Sequence, residues 1–192
     1  MKLIGLFGGS FDPVHLGHLL VAVAACEELL LERLFFIPAA QSPFKPANNP
    51  APADLRVRML RLALAAKPHC EIDEQELQRG GVSFTIDTVR HYVRRFPGAQ
   101  LFYLIGADHV PTLPKWREAE ELARLVQFVV IPRPGETPAQ LPDPFRIKIL
   151  GGWPLKLSSS EIRARIREGR SADHLLPFGV NAVIHEAGLY RP

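Results

Sequence analysis

The stretch Gly8-Gly9-Ser10-Phe11-Asp12-Pro13-Val14-His15-Leu16-Gly17-His18 constrains this chain more than any other. An apolar run, Leu3 to Phe7, leads into it, and an apolar, helix-forming segment from Leu19 to Leu31 leads out. The pattern is a strand, a glycine-rich turn and a helix start with two histidines at its mouth. A helix N-terminus carries unpaired backbone N–H groups and the positive end of the dipole, so it attracts phosphate. Gly8 and Gly9 are expected to let the backbone turn sharply and come close to a ligand. His15 and His18 are three apart and share a face of the first helical turn, where each can donate to a phosphate oxygen. Neither is expected to hold the turn together. A glycine pair or a lone histidine means little by itself. Their combination between a buried strand and a buried helix points to a phosphate site formed by Gly8, Gly9, Ser10, Phe11, His15 and His18.

The rest of the chain alternates strand and helix. Strands are expected at Lys2 to Phe7, Arg33 to Ile37, Cys70 to Asp73, Leu101 to Ile105, Val126 to Ile131 and Arg146 to Leu150. Helices are expected at Gly17 to Leu30, Asp54 to Ala66, up to Phe96, Arg117 to Leu125, after Ser160, and near Pro177 to Glu186. In the second helix, Asp54 is a candidate N-cap and Leu55, Met59, Leu62 and Ala66 are expected to share the buried face. Glu74 to Gly81 reads as a polar turn. Short strands apolar on both faces imply an α/β fold: one doubly wound, Rossmann-like parallel sheet with helices on both faces. The 192 residues suit a single domain spanning 1–192.

Composition removes several classes. A net charge of +3 fits a small polyanionic ligand and is too weak and dispersed for nucleic acid. Cys26 and Cys70 lie in apolar runs and read as buried thiols, with no disulfide framework and no metal site. The longest apolar run breaks at Glu27, short of the roughly 20 residues of a membrane span. The N-terminus is a strand and not a signal peptide, so a cytoplasmic location is expected.

Further candidates lie where strands end. Lys45 sits in the proline-rich loop from Pro38 to Pro52, after the second strand, and ligands in open α/β sheets bind at such ends. Gly106-Ala107-Asp108 ends the fourth strand and should aim a carboxylate into the cleft. Thr85 and Thr88 could be capping residues, and Trp116 could be core packing. Arg133 follows the fifth strand. In Leu157-Ser158-Ser159-Ser160-Glu161-Ile162-Arg163, a serine N-cap followed by Glu161 is a capping box. That explains the serines and leaves Arg163 over.

These motifs resemble the nucleotidyltransferase superfamily that carries His-x-Gly-His, and their form resembles bacterial nicotinate-nucleotide adenylyltransferases. The resemblance runs from Leu3 to Tyr190. It implies that Ser158, Ser159, Ser160 and Arg163 hold the triphosphate of ATP and stabilise the leaving pyrophosphate. It implies that Thr85, Gly106, Asp108, Trp116 and Arg133 serve the acceptor, Trp116 by stacking on its pyridine ring. Lys45 matches a lysine that reaches nucleotide phosphates, whereas Phe44 replaces a family histidine and removes a donor there. Gly188-Leu189-Tyr190 is expected to pack and not to react.

The implied reaction joins nicotinic acid mononucleotide to the AMP part of ATP. Mg²⁺ is expected as cofactor, held by phosphates and water and not by a protein cage. His15, His18, Lys45 and Arg163 are the expected catalytic donors. Self-association is left open, and no membrane or nucleic-acid partner is expected. Two alternatives stand beside this reading: transfer to nicotinamide mononucleotide or phosphopantetheine, and a non-catalytic nucleotide-binding module.

Overall fold

A computed structural model describes residues 1–43, 50–132, 141, 143–153 and 155–191. The apolar segments form one parallel sheet. Its strands are β1 (Leu3–Gly9), β2 (Arg33–Pro38), β3 (Cys70–Ile72), β4 (Gln100–Gly106), β5 (Gln127–Ile131) and β6 (Ile147–Ile149). Their order across the sheet is β3-β2-β1-β4-β5-β6, and every neighbouring pair is parallel. The chain runs outward from β1 to β3, then returns to place β4 on the other side of β1. The strand order therefore reverses between β1 and β4, the place where α/β sheets open a crevice at their carboxyl ends.

Both faces of the sheet are covered, as the apolar strands require. Along β2, Leu34 and Phe36 enter one core and Phe35 and Ile37 the other. Along β4, Phe102 and Leu104 enter the first core and Leu101, Tyr103 and Ile105 the second. The first core is closed by α1 (Leu16–Glu28), α2 (Ala53–Leu64), α6 (Ser159–Arg167) and α7 (Val180–Glu186). The second is closed by α4 (Thr85–Arg95) and α5 (Ala119–Leu125).

Several local expectations change. α3 (Gln75–Arg79) occupies the polar stretch read as a turn, and 3₁₀ turns fill Ala107–Lys115 and Asp173–Leu175. In α2 the N-cap is Pro52, and Asp54 lies in the first turn. Its buried face is Arg56, Val57, Met59, Leu60, Ala63 and Leu64, while Leu62 is exposed. Arg56 on this face is 2% exposed. Gly8 and Gly9 do not form the turn: they remain in β1, paired with Ile37 and Pro38 of β2. The left-handed residue is Phe11, at φ 48°. Cys26 and Cys70 are half-buried and not buried, side by side in one surface pocket. Among the described residues no helix is long and apolar enough to cross a membrane.

Candidate active site

A cleft of about 730 Å³ opens over the carboxyl ends of β1 and β4. Every described residue that the sequence assigned to the site lines it. Lys45, Phe44 and Arg133 lie outside the described residues. The cleft has two ends, built by different means.

The first end starts with Gly8. A Cβ there would sit 2.5 Å from the Tyr103 hydroxyl of β4, so glycine leaves room for this phenol beside β1. Ser10 turns the chain out of β1 and gives its carbonyl to Arg56 Nη1 at 2.8 Å. The Phe11 ring goes down into the core, 5.1 Å from the His18 ring and 5.4 Å from Phe36.

His15 is the N-cap of α1 and His18 sits in the first turn. Their rings lie 3.8 Å apart, inclined by 31°. The His15 backbone N–H donates to His18 Nδ1 at 3.1 Å. His18 therefore does hold the turn, against expectation, by satisfying an amide that the helix leaves unpaired. The accepting Nδ1 also fixes the tautomer: the ring N–H is on Nε2. The His18 amide in turn donates to the His15 carbonyl at 3.0 Å. His15 Nδ1 is buried and has no hydrogen-bond partner among the described residues. An orphaned buried nitrogen is costly unless a ligand completes it.

Both histidines are neutral near pH 7. Burial pushes His15 down to about 4, with Glu161 opposing. Burial beneath the Phe7, Phe11 and His15 rings, with repulsion from His15, holds His18 well below the ordinary histidine range.

The second motif closes on the first. Ser158 caps α6, its Oγ accepting the Glu161 amide at 3.2 Å and donating to Glu161 Oε2 at 2.8 Å. Ser159 Oγ donates to the Pro13 carbonyl at 3.0 Å. Arg163 Nη1 donates to the Asp12 carbonyl at 2.7 Å, and Nη2 donates to Ser160 Oγ at 3.3 Å. Two segments about 150 residues apart in sequence thus form one wall.

At the other end, Thr85 opens α4 and its hydroxyl meets the Tyr103 hydroxyl at 3.4 Å. Neither threonine caps the helix: its N-cap is Phe84, and Thr88 is buried, donating to Glu76 Oε1 at 2.5 Å. Glu76 is 4% exposed, and burial raises its pKa against hydrogen bonds from Thr88 and Ser83. At the end of β4, a Cβ on Gly106 would lie 2.4 Å from Asp108 Oδ1, so glycine lets that carboxylate fold back over the strand end. Trp116 is half-buried. Tyr103 and Phe128 meet its ring edge-to-face at 6.4 and 6.2 Å, and its Nε1 donates to Thr112 Oγ1 at 3.2 Å. The indole is both packed and presented to the cleft. Among the described residues no group of three or more His, Cys, Asp or Glu side chains is arranged to hold a metal.

Sequence reasoning missed Arg56, Glu76, Tyr103 and Tyr190. Tyr103 carried a signal, a single phenol in an apolar strand. Arg56 and Glu76 sat in segments that read as ordinary amphipathic helix and polar turn. Tyr190 does more than pack: its hydroxyl donates to Asp12 Oδ1 at 2.6 Å.

Comparison with known proteins shows the family. Residues 6–165 match the cytidylyltransferase-like family. A probable nicotinate-nucleotide adenylyltransferase of Opitutus terrae is 41% identical, with 98% of each chain covered. The nicotinate-nucleotide adenylyltransferase of Bacillus subtilis is 37% identical over the whole of both chains. The chain belongs to the nicotinate-nucleotide adenylyltransferases. The same fold occurs in a Plasmodium falciparum nicotinic acid mononucleotide adenylyltransferase complexed with NaAD. That chain matches with a TM-score of 0.78 at 18% identity, covering 99% of this chain and 98% of the other. In this chain the segments Gly8 to His18 and Ser158 to Arg163 line one cleft.

Proposed function

We propose that the phosphate end of the cleft takes ATP and that the end formed by Thr85, Asp108 and Trp116 takes nicotinic acid mononucleotide. The reaction is adenylyl transfer. A phosphate oxygen of the mononucleotide attacks the α-phosphorus of ATP, the bond from that phosphorus to the bridging oxygen breaks, and pyrophosphate leaves. The products are nicotinic acid adenine dinucleotide and pyrophosphate. The nucleophile is already an anion, so the protein needs no strong base. Its work is positioning and charge neutralisation. A neutral His18, with its N–H on Nε2, is a fixed donor for the α-phosphate. Arg163 and the hydroxyls of Ser158 to Ser160 serve the departing phosphates, and Lys45 and Arg133 are assigned the remaining phosphate contacts.

Mg²⁺ would shield the triphosphate and the leaving group. The donors at this end are N–H, hydroxyl and guanidinium groups, which suit phosphate and not a cation. The Asp12 carboxylate is engaged by Tyr190 and the Ala51 amide. The metal would therefore be held by phosphate oxygens and water.

The observation that carries this reading is the joining of the two phosphate motifs, Ser159 to Pro13 and Arg163 to Asp12, in a cleft that also holds an oriented indole. The test is pyrophosphate release from ATP with each acceptor in turn. Nicotinic acid mononucleotide should be turned over much faster than nicotinamide mononucleotide or phosphopantetheine. Equal rates, or preference for another acceptor, would contradict it.

A further inference from the structure

The chain's C-terminal tyrosine reaches back to the first phosphate motif. Tyr190 Oη lies 2.6 Å from Asp12 Oδ1, 178 residues away in sequence. Burial and the neighbouring carboxylate push the phenol above its ordinary range, so it stays protonated and donates. Asp12 is 6% exposed and also accepts the Ala51 amide at 3.1 Å. Its second oxygen, Oδ2, lies 3.6 Å from Arg163 Nη1, the atom that donates to the Asp12 carbonyl. Arg56 braces the same loop from below through the carbonyls of Ser10, Ala39 and Ala51.

Two bulky residues flank this carboxylate in left-handed backbone, Phe11 at φ 48° and Tyr190 at φ 63°. Residues of that size rarely adopt the conformation, and surrounding contacts must hold it. The backbone at Tyr190 is thus held where its ring can reach Asp12.

We propose that Tyr190 is a positioning residue for the ATP end of the cleft. Its hydroxyl orients the Asp12 carboxylate, and that carboxylate sets the rotation of the Arg163 guanidinium toward the triphosphate. This rests on the reading of Ser158 to Arg163 as the triphosphate site. It makes the last turn of the chain part of ATP recognition and leaves the acceptor end independent of it.

The experiment is calorimetric titration of the full chain with ATP and Mg²⁺, without acceptor. Four proteins are compared: wild type, Tyr190→Phe, Arg163→Ala and the double variant. Tyr190→Phe keeps the ring and removes one donor, and should weaken ATP binding about five- to tenfold. In the Arg163→Ala background the same change should have no further effect, because the tyrosine acts through the arginine. Asp12→Asn should resemble Tyr190→Phe, and the acceptor KM should be unchanged in both. Wild-type ATP affinity in Tyr190→Phe, or equal weakening in both backgrounds, overturns the proposal. So does a lowered melting temperature with unchanged ATP affinity, which would assign the contact to folding alone. Failure of the wild type to bind ATP would remove the site reading itself. Binding of ATP without turnover of nicotinic acid mononucleotide would remove only the acceptor assignment.

Discussion

The two ends of the cleft are built on opposite plans. The phosphate end is polar at its surface, with two stacked, neutral histidines on a helix mouth; among the described residues Arg163, beside the Asp12 carboxylate, brings a positive charge to it. The acceptor end presents an indole and the exposed Asp108 carboxylate at its surface and hides a second carboxyl beneath, Glu76 under Thr88 and Ser83. The first plan suits a ligand that brings its own charge and its own metal. Neutral donors hold phosphate without competing for protons, and they are in place before the reaction begins. The second plan suits a flat ring, which gains from a fixed aromatic face more than from charge.

If the ends are this distinct, breaking one should leave the other intact. The largest effect is expected for His18→Ala. Loss of one preorganised donor costs about 10²–10³ in kcat. The KM for ATP should move far less, since the contact is made mainly in the transition state. His18 also holds the His15 amide. The melting temperature should therefore fall by the equivalent of roughly 0.5–2 kcal/mol, the usual worth of a helix cap. Steady-state kinetics beside a melting curve separates the two parts. Near-normal kcat would take His18 out of the chemistry.

The second expectation is an acid limb of stability that belongs to the phosphate end. The folded-state pKa of His15 is depressed from 6.5 to about 4. The unfolded chain therefore binds the proton first as pH falls, and stability drops between those two values. The loss from His15 alone is on the order of 3 kcal/mol over the whole window. Urea unfolding at steps from pH 7 to pH 4 measures it. His15→Gln should make the limb shallower, leaving the part that the depressed His18 contributes, and an unchanged limb in that variant would place the acid sensitivity elsewhere.

Trp116→Ala probes the other end. Stacking of a base on an aromatic ring is worth roughly 1–3 kcal/mol, so the acceptor KM should rise about tenfold or more while ATP binding stays put. Tyr103 and Phe128 hold the indole at its edges. If the variant unfolds, the packing role of the ring outweighs its role toward ligand. The smallest effect is expected for Ser158→Ala. It removes the α6 cap, costing about 1 kcal/mol of stability, with a loss in kcat smaller than that of His18→Ala.

The same contrast decides what was legible in the sequence. The phosphate end is local: one contiguous strand–loop–helix motif, recognisable from its spacing, and one capped helix, whose link to phosphate came from the family resemblance. The parallel sheet covered on both sides followed from apolar runs that had to be buried on both faces; the order of its strands did not. The supporting groups were not legible, because each is a single residue whose partner is distant. Arg56 looks like the polar face of α2 until its three backbone acceptors converge on it. Glu76 looks like solvent-facing turn until Thr88 closes over it. Gly8 and Gly9 were assigned to a turn because glycine permits one. In the fold, Gly8 serves the close approach of Tyr103 instead.

The most direct test of the two-ended cleft is a crystal structure with the product dinucleotide bound. The account places the adenylyl phosphate within hydrogen-bond distance of His18 Nε2, and the pyridine ring on the face of Trp116. A dinucleotide bound with its pyridine ring against His15 and His18 and its adenylyl phosphate near Thr85, or one that leaves Trp116 untouched, would contradict it.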